Sequence, residues 1–182
     1  MEIQDFVGEV NLEESAGLEI EVAFADYRDV ETWPALPDLA AVGATNMDYV
    51  DLGAEVFVMK EGKKFHKFEG GLEKNAFQSQ LVGPRGAKTW QHTLTIARNA
   101  VNKALLGWVR ANRNRPLVVA FRFFGESQYT VIGFEKVWAE VDDATVTVAA
   151  EVAGEKGTAV MIRGIYYPPL YIDAIPFTPA AP

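Results

Sequence analysis

The sequence predicts a mainly β chain with one packed α-helix, and three observations carry that expectation. Leu18, Ile20, Val22 and Phe24 alternate with Glu19, Glu21, Ala23 and Ala25. Such period-two alternation marks a strand with one buried face and one wet, acidic face. Ala97, Val101, Ala104, Leu105 and Trp108 recur at helical spacing, with Arg98, Asn102, Lys103 and Arg110 on the opposite side, so a single amphipathic helix is expected over 97–112. Beyond Pro116 the chain reads as strand upon strand to its end.

Between the first strand and the helix, Asp26 to about Tyr49 is loop-like, because Trp33-Pro34 and Leu36-Pro37 bias the backbone toward extended or turn shapes. A strand is expected over Val50–Met59, with Lys60-Glu61-Gly62-Lys63 as a hairpin turn into Lys64–Glu69. Gly70-Gly71 breaks that run, and Glu73–Val82 and Ala87–Ile96 read as two strands joined at Gly83-Pro84-Arg85-Gly86. Arg110 and Arg113 suit the helix C-terminus, where cations complement the dipole. Pro116 stops the helix. Val101, Leu105 and Trp108 are the expected core-packing residues of the helix, each stabilising the fold by about 1.5–3 kcal/mol when buried.

Leu117–Phe124 is apolar on both faces except at Arg122, the pattern of a central strand. Gly125-Glu126-Ser127-Gln128 turns into Tyr129–Gly133 and Phe134–Val141, and Asp142-Asp143 is expected as a further turn into Thr145–Val152. Gly154–Gly157 leads to a last long strand, Thr158–Tyr167, followed by the aromatic and proline run Tyr166-Tyr167-Pro168-Pro169-Leu170-Tyr171.

The 182 residues fit one domain with a substantial core. Cysteine is absent, which excludes disulfides and thiolate metal sites. The acidic start Met1-Glu2-Ile3-Gln4-Asp5 is unlike a signal peptide, and no stretch approaches the roughly 18 apolar residues of a membrane span. A soluble protein without a membrane role is the expectation. The net charge of −8 is unevenly placed: residues 1–61 carry fifteen acids against two bases, a net of −13, and the remainder carries +5. That asymmetry suits two solvated surfaces or head-to-tail complementarity between copies. Neither part has the clustered basic stripe of a nucleic-acid binder.

No catalytic motif emerges. His66 and His92 stand in separate strand-like segments, and a histidine without a partner motif is more often structural than catalytic. Ser15, Ser79 and Ser127 lie in no nucleophile elbow. No glycine-rich phosphate loop follows a strand. The expectation is a non-enzymatic protein with no catalytic residue, no cofactor and no metal.

In the order of its elements the chain resembles the tail-tube (major tail) proteins of tailed bacteriophages, related in layout to type VI secretion tube proteins. The likeness rests on the alternating strand at 17–25, the loop with Trp33-Pro34, and the strand-rich excursion 62–88. It continues through the helix ending Trp108-Val109-Arg110-Ala111-Asn112, the strand Leu117–Phe124, the meander through Ile132-Gly133-Phe134, and the final strand closing on Tyr166-Tyr167-Pro168. The resemblance implies a single tail-tube-like domain over 1–182, a two-sheet β-sandwich or barrel with an extended loop region at about 62–88 and a Pro-rich C-terminal tail at about 168–182. It implies a structural virion protein, of phage or prophage origin, assembled in the bacterial cytoplasm. Its copies would form hexameric rings that stack head to tail into a tube, meet other tail proteins, and conduct DNA without sequence-specific binding.

Ring closure would satisfy the open sheet edges, and a conduit for phosphates calls for an acidic or neutral lumen. Glu19, Glu21, Thr147 and Glu151 are then the candidate lumen-facing residues. Lys63, Lys64, Lys67, Lys74, Arg85 and Lys88 stand against only Glu69 and Glu73 in their segment, and are the candidate inter-ring contacts. A tail-terminator or neck ring protein is the alternative within the same class. Outside it stand a β-sandwich carbohydrate-binding module using Tyr166, Tyr167 and Tyr171, and a small barrel enzyme using His66 or His92.

Overall fold

A computed structural model describes residues 18–40, 42–69, 74–98, 101, 103–148 and 156–181. The chain is mainly β with one short helix. Its centre is a five-stranded antiparallel sheet built from β1 (Leu18–Asp26), β4 (His66–Glu69), β7 (Leu117–Phe123), β8 (Tyr129–Ile132) and β11 (Leu170–Ile172), in the order β11-β8-β7-β1-β4. The apolar run Leu117–Phe121 is fully buried, as a strand covered on both faces must be. Leu117, Val119 and Phe121 belong to one core cluster and Val118 and Ala120 to the other. Alternation along a single strand thus serves two cores.

The second sheet has four strands in the order β5-β6-β10-β9, with β5 (Ala76–Val82), β6 (Thr89–Arg98), β9 (Glu140–Val148) and β10 (Lys156–Tyr166) all antiparallel. Leu94, Ile96, Val160 and Ile162 on one face share a core with Val22, Phe68, Val119 and Phe121 of the central sheet. The two sheets therefore pack face to face. None of the sheets closes into a barrel.

The helix, α1 (Lys103–Asn112), adds Leu105, Trp108 and Val109 to this core. The Trp108 ring stands edge-on to Phe24 at 5.1 Å and to Phe68 at 4.7 Å, a geometry that aromatic quadrupoles favour. Asn112 caps the helix by donating its side-chain amide to the Trp108 carbonyl at 2.8 Å.

The other face of the central sheet is covered mainly by irregular chain and a two-stranded ribbon, β2 (Val30–Thr32) with β3 (Val58–Met59). Trp33, Phe57, Phe65 and Phe134 interlock there at 5.3–5.7 Å. The C-terminal residues are bonded across this layer: Phe65 N–H donates to the Pro176 carbonyl at 2.9 Å, and Ala180 N–H to that of Lys63 at 3.1 Å. Ile175 is buried beneath them.

Several expectations are corrected. The helix begins at Lys103 rather than Ala97, because Ala97 and Arg98 complete β6 opposite Ala159 and Thr158. Val101 lies outside the helix and is half-buried. Of the strand expected at 50–59 only Val58–Met59 is extended and paired in a sheet; Leu52 N–H instead donates to the Tyr171 carbonyl at 2.8 Å. Lys60–Lys63 does form a turn, closed by Lys63 N–H to the Lys60 carbonyl, but β3 pairs with β2 and β4 with β1, so no hairpin results.

The 62–88 segment is not a projecting loop. Its described residues carry β4 in one sheet and β5 in the other, with a turn after Val82 that leads into β6. Asp142 and Asp143 do not end a strand. The ladder pairs Met161 with Asp143 and Ile162 with Val141, leaving Asp142 as the extra residue of a β-bulge in a continuous β9.

Gly133 joins β8 to the turn closed between Phe134 and Val137, with φ 82°. A Cβ there would meet the Ala139 nitrogen and the Leu117 carbonyl oxygen, each at 2.7 Å. Gly133→Ala is accordingly expected to destabilise the fold by more than about 1 kcal/mol, since both conformation and space are wrong. Trp108→Ala should cost about 3–5 kcal/mol through the cavity it leaves against Phe24 and Phe68. Urea denaturation of each variant checks both values.

Candidate assembly surface

The four-stranded sheet has two unlike faces. His92, Leu94, Ile96, Val160 and Ile162 point into the core. Gln78, Gln80, Gln91, Thr93, Thr95, Arg163, Glu140, Asp143, Thr145 and Thr147 share the opposite face, as the cross-strand register places them. Period-two alternation in β6 and β10 produces this division directly. Among the polar residues of this outward face threonine and glutamine predominate, with two acids and one arginine, beside Met161, Ile165, Val82 and several alanines. Asp143 is held locally, accepting from Ala144 N–H at 2.8 Å and from the Thr145 hydroxyl at 3.3 Å. Such a face is wettable and close to neutral.

Both outer strands of this sheet are open. Among the described residues no further strand pairs with β5 or with β9. Each therefore presents a row of backbone N–H and C=O groups without a ladder partner. Val146 and Val148, at the end of β9, are 45% and 63% exposed, and Leu81 on β5 is 52% exposed. Unpaired backbone edges of this kind are where strand pairing between chains can occur.

The candidate lumen residues do not converge. Thr147 lies on the outward face of the four-stranded sheet. Glu21 lies on the central sheet, on the side of Ala23 and Ala25 that faces the irregular layer, and its carboxylate pairs with Lys67 at 2.9 Å. These two positions face opposite ways, so one lumen cannot take both. Glu19 belongs to β1, but its side chain is outside the described residues, as is Glu151.

The candidate inter-ring lysines also separate. Lys67 is engaged by Glu21 and lies 4.7 Å over the Phe177 ring. Lys63 pairs with Asp29 at 3.3 Å. Lys64 is half-buried, and Lys74 is exposed with an interaction of its own. Arg85 and Lys88 are exposed at the β5–β6 turn. Of the tyrosines considered as a sugar platform, Tyr167 packs against the core and Tyr171 is half-buried in β11, leaving Tyr166 exposed.

His66 is exposed at the start of β4, 5.8 Å from the Phe24 ring. His92 is 2% exposed. Its Nε2 donates to the Tyr167 carbonyl at 2.7 Å, so in the neutral ring Nδ1 accepts from the Ser79 hydroxyl at 2.9 Å. Burial pushes its pKa below the ordinary histidine value, outweighing the raising effect of the Tyr167 carbonyl. His92 thereby joins β5, β6 and the chain after β10.

Sequence reasoning missed one surface. Trp138 and Ile165, each 48% exposed, and Tyr166, 59% exposed, crowd one end of the four-stranded sheet beside Lys136 and Arg163. The signal was the large apolar Trp138 set between the charged Lys136 and Glu140, but only the pairing of β9 with β10 brings it to Ile165.

A depressed histidine pKa means that the unfolded chain binds the proton more readily, so stability falls as pH drops below about 6.5 toward the folded value. The thermal midpoint should therefore decline between pH 7 and pH 5. His92→Gln should be less stable at pH 7 and show a flatter profile across that window in scanning calorimetry.

A scan against protein-family models, a search of curated proteins and a search of solved structures each find no match to this chain.

Proposed function

We propose that this chain is a structural, non-enzymatic subunit of tail-tube type, a two-sheet β-sandwich that self-assembles into rings which stack into a DNA-conducting tube of a phage tail. The observation that supports this reading most is the four-stranded sheet, with a dry face, a near-neutral polar face and two open edges. Its outer strands β5 and β9 run in opposite directions, because all its pairings are antiparallel. Rotation about an axis along the strands therefore sets β5 of one copy antiparallel to β9 of the next. The ladder continues without interruption, and closure removes both open edges of this sheet.

With six copies the joined sheets make a barrel of about 24 strands. At a strand spacing of about 4.8 Å its diameter is roughly 37 Å before tilt widens it. The threonine and glutamine face then lines the bore, with Thr147 in it, and a near-neutral wall lets phosphates pass without holding them. A ring that closed but did not stack would serve as a tail terminator, and microscopy separates the two.

At high concentration the protein should give rings or tubes in negative stain. A proline at Val146 or Thr147 removes a β9 donor. The variant whose lost N–H faces outward should stay folded and monomeric in sedimentation, whereas the other should damage the fold. Thr95→Lys with Thr147→Lys should leave rings intact but make them retain DNA at low salt, releasing it as salt rises. Rings that retain no DNA would place this face elsewhere than the bore.

A further inference from the structure

We infer that the seam between copies has one register, with Thr145 of β9 opposite Gln78 of the neighbouring β5, and that opposite charges on the two edges select this joint over either edge pairing with itself. The inference rests on the ring reading, which joins β5 to β9, and it adds which residues meet there and what chooses them.

Charge separates the two edges. β9 carries Glu140, Asp142 and Asp143 with no Lys or Arg, whereas residues 76–88, β5 with the turn after it, carry Arg85 and Lys88 with no acid. These five side chains are exposed, and among the described residues none of them forms an ion pair. Arg163, the ladder neighbour of Glu140 within the copy, donates to Gln91 instead. An antiparallel sheet can grow by joining β5 to β5, β9 to β9, or β5 to β9. Self-joined β9 edges offer Glu140 no cation, and self-joined β5 edges offer Arg85 no carboxylate. The mixed joint supplies both, and opposite charges steer and register an interface. A self-joined edge gives a two-fold pair, whereas the mixed joint is head-to-tail and closes a ring.

Side-chain alternation then sets the register. A slide of one residue turns wet side chains to the dry side, so only steps of two compete. On the dry side stand Phe77, Ser79 and Leu81 of β5, and Val141, Ala144, Val146 and Val148 of β9. Val146 is 45% exposed and Leu81 52%. With Thr145 opposite Gln78, Val146 meets Phe77 and, across the bulge at Asp142, Val141 meets Leu81. All 7 residues of β5 then have a partner. Glu140 falls opposite Val82, beside the turn that bears Arg85 and Lys88. Asp143 falls opposite Gln80, whose amide can donate to it. A slide of two residues sets Val146 against Asn75 or Ser79, and Val141 against Ser79 or Gly83. Either slide gives up the apolar cross-strand pairs that stabilise a ladder.

The chain has no native cysteine, so introduced cysteines report the seam directly. Full-length Thr145→Cys is mixed with full-length Gln78→Cys, Ala76→Cys or Gln80→Cys and oxidised, and the heterodimer is measured on a gel. The highest yield is expected with Gln78→Cys. Arg85→Glu with Lys88→Glu, and separately Glu140→Lys with Asp142→Lys, should each slow assembly at low salt by more than about tenfold. Mixing the two reversed chains should restore it, because each reversed edge then meets its complement, a recovery that misfolded variants could not give.

Rings in negative stain with the highest yield at Ala76→Cys or Gln80→Cys overturn the register and leave the ring reading standing. Rings whose formation ignores both reversals overturn the charge selection in the same way. The Gln78→Cys cross-link in open chains without rings upholds the seam and overturns closure. A Thr145→Cys homodimer formed in preference to every heterodimer, without rings, overturns the inference and the ring reading together, as does the absence of both cross-link and rings.

Discussion

The structure depends on a sheet that is buried on both sides. Leu117–Phe121 alternate between two cores without a polar side chain in the run, so β7 can exist only with a layer above and a layer below. The four-stranded sheet supplies one layer, and loops with the C-terminal residues supply the other. This arrangement frees the outer face of the four-stranded sheet from any packing duty. It can carry many threonine and glutamine side chains because the central sheet provides apolar contacts on the other face.

The helix and the bulge at Asp142 complete that division of labour. Trp108 inserts between Phe24 and Phe68 and seals the core near the β9 side, where Val141 and Ala144 also pack. The bulge lets β9 absorb one extra residue and restore its alternation, so Glu140 and Thr145 still share one face. A bulge also increases local twist, which suits a strand at a sheet edge.

What was legible in the sequence was local. The alternation of residues 18–25, the Gly83–Gly86 turn and the doubly apolar run after Pro116 each encode their own conformation. What was not legible depends on partners distant in the chain. Ala97 and Arg98 fit a helical stripe, but pairing with β10 holds them extended. Lys63 and Lys67 read as available cations, yet their carboxylates come from Asp29 and Glu21, 34 and 46 residues earlier. Thr147 was distinguished as wet from its own strand, whereas the rest of the polar face became visible only when four strands were laid side by side.

The crossing of chain between the two sheets has a consequence for how the molecule is made. β5 and β6 are joined by a short turn and can pair as soon as both are synthesised. β1 must wait for β7, with Leu18 paired to Phe123 across more than a hundred residues. Loop closure over such a span is slow. During that interval the hairpin has formed while the central sheet that will cover its dry face is incomplete. The open edges of that hairpin are then exposed on an immature chain, where indiscriminate pairing leads to aggregation. Slow closure of β7 onto β1 lengthens the interval in which such mispairing can occur.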